Sequence, residues 1–196
     1  MDMAVDISNV FIETEHLILR GWESSDLEDF FEYASVAGVG ELAGWLHHDS
    51  KGVSQKILET FITEKNVFAV VFKSTGKVIG SLGLHRSWVN DEEEYSNLKS
   101  KEVGYVLSKD YWGNGLIPEA VTAVISFCFD NYALDAITCG HFSNNNQSKR
   151  VIEKCGFEFV SRGTYYSKQM QKEFEVMRYI LLSPRKQRAE LSPTSI

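Results

Sequence analysis

Gly113 and Gly115 stand at alternate positions in the run Tyr111-Trp112-Gly113-Asn114-Gly115-Leu116-Ile117-Pro118-Glu119-Ala120, between a stretch that reads as a strand and one that reads as a helix. Without a Cβ the backbone there can turn its N–H groups inward and approach an anion closely. A helix that begins at once adds the positive end of its dipole, so the chemistry is capture of a phosphate or pyrophosphate. The fuller phosphate motifs are absent. A dinucleotide fingerprint needs a third glycine where Pro118 stands, and a Walker loop needs Gly-Lys-Ser/Thr. A glycine-rich turn with no ligand has the same spelling.

The second segment is Asn144-Asn145-Asn146-Gln147-Ser148-Lys149-Arg150-Val151-Ile152-Glu153-Lys154-Cys155-Gly156-Phe157. Taken alone it spells a helix, opened by an Asn or Ser cap and stopped at Gly156. Cys128 falls on an apolar helical face and Cys155 near a helix end, the settings of structural thiols. Neither a Gly-x-Ser-x-Gly elbow nor a His-Glu-x-x-His pair occurs. His47 and His48 are adjacent and cannot chelate as an i,i+4 pair does, so no metal is expected. His85 and His141 lie in or beside strands, where they could face an acceptor pocket, and structural histidines are the commoner reading.

The elements that must position these groups follow from periodicity. His16–Arg20 alternates as a strand. Ser25-Asp26-Leu27-Glu28 spells a capping box, predicting a helix through Leu27, Phe30, Phe31 and Ala34 that ends at Gly38 and Gly40. Ser54–Lys65 carries Ile57, Leu58, Phe61 and Ile62 on one helical face. Val67–Lys73 and Val78–Arg86 flank Ser74-Thr75-Gly76 as a hairpin. Asp91 through Lys101 reads as a solvated connection, or as an acidic rim that steers a basic substrate. Glu102–Ser108 and Ala136–Phe142 are strands joined by a helix through Ala120, Val124 and Cys128, a crossover that makes them parallel. Phe157–Arg162 and Phe174–Leu182 close the fold as antiparallel strands. The expectation is one mixed α/β (α+β) domain over residues 1–183, with a mostly antiparallel sheet around a central parallel pair, and a flexible tail over 184–196.

Composition bounds the function. The 196 residues are 43% hydrophobic and 24% charged, the mix of a folded globular domain. No apolar run suits a membrane span, and Met1–Val10 holds no Lys or Arg of the kind a signal peptide needs. Three cysteines without CxxC spacing suggest no disulfide framework and point to a reducing cytoplasm. With 20 Lys and Arg against 27 Asp and Glu, the net charge of −7 repels nucleic acid and attracts a cationic partner.

Together the segments resemble the GNAT superfamily of acetyl-CoA-dependent N-acetyltransferases, and within it the Rim-type ribosomal-protein branch. Glu102-Val103-Gly104-Tyr105, Tyr111-Trp112-Gly113-x-Gly115-x-x-x-Glu119-Ala120, Asn145-x-x-Ser148 and Glu153-Lys154-x-Gly156-Phe157 match its pattern in order, and the likeness spans roughly Glu13 to Leu182. The resemblance implies that the parallel pair splays, that Val106 and Leu107 present backbone groups to the pantetheine arm, and that Trp112, Gly113, Asn114, Gly115, Leu116 and Ile117 form the pyrophosphate loop. It implies that Asn145 holds the arm and Ser148 lies near the thiol sulfur. The helical Tyr that often protonates the leaving thiolate is Ile152 here, which leaves that task to Ser148. Glu102 is implied as the general base, its alternative being a surface charge at a strand end. The early helices and later hairpins would flank the acceptor, making Trp45 and Trp88 pocket candidates.

The implied reaction is direct acetyl transfer from acetyl-CoA to a primary amine, first of all a basic protein's N-terminal α-amine. A small-molecule amine of polyamine or aminoglycoside type is the nearest alternative. A non-catalytic CoA-binding module and a nucleotide-phosphate binder stand in other classes. Oligomeric state, including a homodimer, is left open.

Overall fold

The computed structural model describes residues 1–191, and the end of the expected tail, 192–196, lies outside the described residues. Eight strands form one sheet in the order β1-β2-β3-β4-β5-β6-β8-β7. They are β1 (Phe11–Glu13), β2 (Leu17–Arg20), β3 (Val67–Phe72), β4 (Lys77–His85), β5 (Ser100–Leu107), β6 (Ala136–Phe142), β7 (Glu158–Ser167) and β8 (Lys172–Leu182). Every neighbouring pair is antiparallel except β5 and β6, which are parallel. The helices are α1 (Leu27–Ala34), α2 (Lys51–Glu64), α3 (Leu116–Asn131), α4 (Asn146–Lys154) and α5 (Pro184–Leu191). The mixed α/β sheet with its single parallel pair is the one expected from the strand–helix–strand crossover.

Two apolar layers sandwich the sheet. On one face Leu17, Leu19, Phe68, Leu82, Leu84 and Val103 pack against Val121, Val124 and Cys128 of α3 and Ile152 of α4. On the other, Val67, Ala69, Val71 and Val78 pack against Phe30, Tyr33 and Ala34 of α1 and Leu58 of α2. The second pair of helices covers the β2–β4 part of its face, and beyond β4 the 88–98 segment takes over, with Val89 packed on Ala136 and Ile180.

Local differences from expectation have local causes. The box before α1 is formed by Glu23 and Asp26 and not by Ser25 and Glu28. Glu28 instead meets Lys51. The Asp26 carboxylate accepts the Glu23 N–H at 2.8 Å and both Arg20 guanidinium nitrogens at 2.8 Å, and this bidentate pair outcompetes the Ser25 spelling. Asp26 is buried and Arg20 half-buried. Asp26→Ala strands that cation and one helix-entry N–H, and is expected to cost about 2 kcal/mol in urea unfolding. An unchanged midpoint would show that the pair contributes nothing.

The final hairpin extends to Ser167 and restarts at Lys172, longer than its apolar core suggests, and Pro184–Leu191 is helical where a tail was expected. Ser183 O accepts Lys186 N–H and Gln187 N–H, and Asp135 takes Arg185 at 2.7 Å, which holds the helix start against the body.

Candidate active site

β5 and β6 pair only over Ser100–Glu102 and Ala136–Thr138. Beyond Glu102 and Thr138 the two strands run without pairing, so the sheet opens into a notch. Backbone alternation decides which groups face it. Ser108 N–H donates to Ile79 O at 2.7 Å, which in this antiparallel register turns the backbone groups of Glu102, Gly104 and Val106 toward β4. Those of Tyr105 and Leu107 turn the other way, into the notch. The expectation that Val106 shares this place with Leu107 is corrected by the ladder: Tyr105 takes it. Leu107 O already accepts the Trp112 indole N–H at 2.9 Å, so the open groups are Tyr105 N–H and C=O and Leu107 N–H.

At the far end of β5 the glycine loop leads into α3. Gly113 and Gly115 have φ of 82° and 77°, left-handed conformations that glycine adopts without strain. A Cβ on either would meet nothing within 4 Å, so the space in front of the loop is open. Among the described residues no side chain caps α3, and Pro118 has no N–H, which leaves Leu116 and Ile117 N–H as free donors at a helix start. Their side chains point the other way, into the core. Asn114 ties the loop internally through Tyr111 O at 3.2 Å.

On the α3/α4 face of the notch stand Ser148 and Tyr105. Their hydroxyl oxygens are 2.8 Å apart, a strand and a helix start meeting across the opening. Burial pushes the Tyr105 phenol well above its ordinary 10, so it remains a proton donor. Asn145 caps α4 by accepting Ser148 N–H at 3.0 Å, and its amide N–H donates to Leu42 O at 3.3 Å. Its side chain is thus engaged as a cap and a tie. Ile152, one turn along α4, is buried in the core. Glu-Val-Gly-Tyr alternation puts Tyr105 on the face opposite Glu102, and this is the one sequence signal for its place in the notch. Burial also pushes the Cys128 thiol up to about 12 and Cys139 well above its usual value, so neither is a nucleophile at neutral pH.

Glu102 lies on the other face, at the base of the notch. Its carboxylate accepts Trp88 N–H and Thr138 Oγ–H, each at 3.4 Å. Burial raises its pKa, against those hydrogen bonds and the Arg178 charge. Trp88 lies under the Arg178 guanidinium, 5.3 Å from the ring centroid, and Trp45 packs on His48. Asp91 is paired with Arg86 at 2.6 Å and Glu92 with Arg178 at 3.5 Å, so half of the 91–94 acidic run is already neutralised. The solvated-connection reading of that run fits better than a steering rim. Segment 40–46 is tied over the cleft by Ser167 Oγ–H to Gly44 O at 2.8 Å and by Leu46 N–H to Gln169 Oε1 at 3.1 Å.

One cleft of about 1460 Å³ runs from the glycine loop through the notch to this face. Pockets for one small ligand are about 300–1,000 Å³, so the volume suits two substrates. Among the described residues no cluster of His, Cys, Asp and Glu could hold a metal, and no helix is long and apolar enough to cross a membrane.

The family model described as Acetyltransferase (GNAT) domain matches residues 16–158. The uncharacterized N-acetyltransferase YoaA of Bacillus subtilis is 26% identical over 179 residues, covering 89% of this chain and 97% of YoaA. A GNAT-family acetyltransferase structure from Bacillus anthracis superposes with a TM-score of 0.76 at 20% identity, covering 88% of this chain and 98% of that one. RimL, a ribosomal L7/L12 α-N-protein acetyltransferase in complex with coenzyme A, superposes with a TM-score of 0.69 at 13% identity, covering 88% and 97%.

Proposed function

The chain belongs to the GNAT acetyltransferase family, and from that membership we propose that it moves an acetyl group from acetyl-CoA to a primary amine, a protein N-terminal α-amine being the acceptor. The notch carries this reading: a proton acceptor lies on one face of the sheet, a hydroxyl pair on the other, and unpaired backbone groups lie between. When bound, acetyl-CoA supplies an acyl group activated as a thioester. The residues fit it. The open loop over Gly113, Asn114 and Gly115 and the free N–H groups of Leu116 and Ile117 take the pyrophosphate, with Trp112 bracing the loop against β5. Tyr105 and Leu107 meet the pantetheine arm as an added strand, and Asn145 serves by fixing the first turn of α4 beneath it.

The acceptor lies along the opposite face. Glu102 takes a proton from the attacking nitrogen as the C–N bond forms, and burial, by raising its pKa, makes it a stronger base than an exposed carboxylate. Tyr105 or Leu107 N–H donates to the acetyl oxygen as charge develops there. Ser148, backed by the Tyr105 phenol, protonates the departing sulfur. Burial raises the pKa of all three thiols, half-buried Cys155 included, which favours direct transfer over an acyl-enzyme. The net charge of −7 favours a basic acceptor protein, and the likeness to RimL favours an α-amine. The reducing cytoplasm suits the free cysteines.

The test measures thiol release from acetyl-CoA with peptides bearing a free α-amine, with spermidine and with an aminoglycoside. Turnover of peptides and not of spermidine is expected. Turnover of spermidine alone would overturn the α-amine acceptor. Calorimetric binding of acetyl-CoA without turnover of any amine would leave a CoA-binding module.

A further inference from the structure

Of the five histidines, four are engaged. His16 pairs with Glu119, His47 with Glu41, and His48 with Ser54, while His141 uses both ring nitrogens on Phe142 O and Tyr179 Oη. His85 alone has no hydrogen-bond partner among the described residues, and it is exposed to the cleft. It is Glu102's direct partner across β4 and β5, so the two side chains rise from the same face. Its ring folds back over the facing glycines Gly83 and Gly104. A Cβ on Gly83 would fall 2.3 Å from its Nε2, and one on Gly104 3.4 Å from its Cδ2. Two glycines opposite each other in a paired sheet weaken it. Here they open a slot one imidazole wide, on the cleft floor beside Glu102.

Proton balance gives that ring a task. At neutral pH the acceptor arrives as R–NH3+ and leaves as an N-acetyl amide, so its nitrogen sheds two protons. One ends on the departing sulfur, and the other has to reach water. Glu102 and the Ser148–Tyr105 pair manage the first, on a path across the notch. The second needs an acceptor that faces both the ammonium and the solvent.

Resting on the acetyltransferase reading above, we propose that His85 is the conduit for this net proton. The lone pair of its ring nitrogen takes H+ from R–NH3+, leaving R–NH2. The nitrogen lone pair then forms the C–N bond, the C–S pair leaves on sulfur, and the imidazolium releases its proton to cleft water. Charged groups around the ring are Glu102 and Lys101 on β5, Glu64 at the end of α2, and the Arg86–Asp91 pair beside the strand end. Surrounding protein and the Lys101 charge lower its pKa, with Glu64 opposing, so the ring is neutral and able to accept at pH 7.

The test uses His85→Ala, which empties the slot, with the best peptide acceptor of the amine screen. At pH 7 kcat/KM is expected to fall about 10²-fold, the low end for a positioned proton-transfer group. Added imidazole restores activity by refilling the slot. The deficit shrinks for an acceptor acidified by fluorine beside its amine, and closes above roughly pH 9, where an α-amine of reference pKa near 8 arrives unprotonated. Calorimetric binding of acetyl-CoA, on the other face, reports that the variant is folded. If His85→Ala does not fold, Gly83→Ala expels the ring from its slot and carries the same expectations, imidazole rescue excepted. A loss that is absent, or equal at every pH and for every acceptor, overturns the proposal. Wild-type protein that turns over no amine overturns the functional reading instead.

Discussion

Glu102→Gln is expected to lower kcat by about 10²–10⁴-fold while leaving acetyl-CoA affinity unchanged. The amide keeps the shape and still accepts Trp88 N–H and Thr138 Oγ–H, but it cannot take a proton. Glu102 acts only when ionised, so activity is present above its raised pKa and is lost as pH falls through it. The acid limb of kcat in the parent therefore lies above the ordinary carboxylate range. Because Glu102 serves the attack itself, the deficit of the Gln variant persists at alkaline pH, where that of His85→Ala closes. Steady-state kinetics across pH on both variants separates the two tasks. A kcat equal to the parent's would remove Glu102 from the chemistry and return it to a strand-end charge.

Gly115→Val is expected to weaken acetyl-CoA binding tenfold or more, about 1.4 kcal/mol. Gly115 is the residue before α3 and has φ of 77°. A left-handed conformation costs a residue with a Cβ about 1–2 kcal/mol, and more for a branched one. The valine also projects into the open space before the loop, so the loop reshapes and its N–H groups no longer converge. Calorimetry with acetyl-CoA, on protein checked for an intact thermal transition, reads the effect. An unchanged Kd would mean that the loop is only a turn.

Much of this was legible because it is local. Gly113, Gly115 and Pro118 spell an open helix start within six residues, and the strand–helix–strand order implies the parallel pair. Features that depend on register were not. Whether Val106 or Tyr105 opens toward the notch turns on one hydrogen bond, Ser108 to Ile79. The slot under His85 exists because Gly83 pairs with Gly104, and no spacing within either strand announces that meeting. Phe11–Glu13 is too short for periodicity to register. Ser25 lost the cap to Asp26 because Arg20, on the preceding strand, draws the carboxylate into place.

The short β5–β6 pairing has a consequence for how the molecule assembles. Strands β1 to β5 join neighbours in sequence order, and β6 pairs with the hairpin of β7 and β8 to form a second block. These two blocks meet through three residue pairs, Ser100–Ala136, Lys101–Ile137 and Glu102–Thr138, and only after α3 has crossed over. Non-local parallel contacts are slow to form because the intervening chain must be ordered first. Docking of the blocks is therefore the late step in folding, and the seam is the first part of the sheet to open under native conditions. Amide exchange faster at Lys101 and Val103 than along β3 and β4 would display it. The gap that admits two substrates is also the joint along which the protein comes apart.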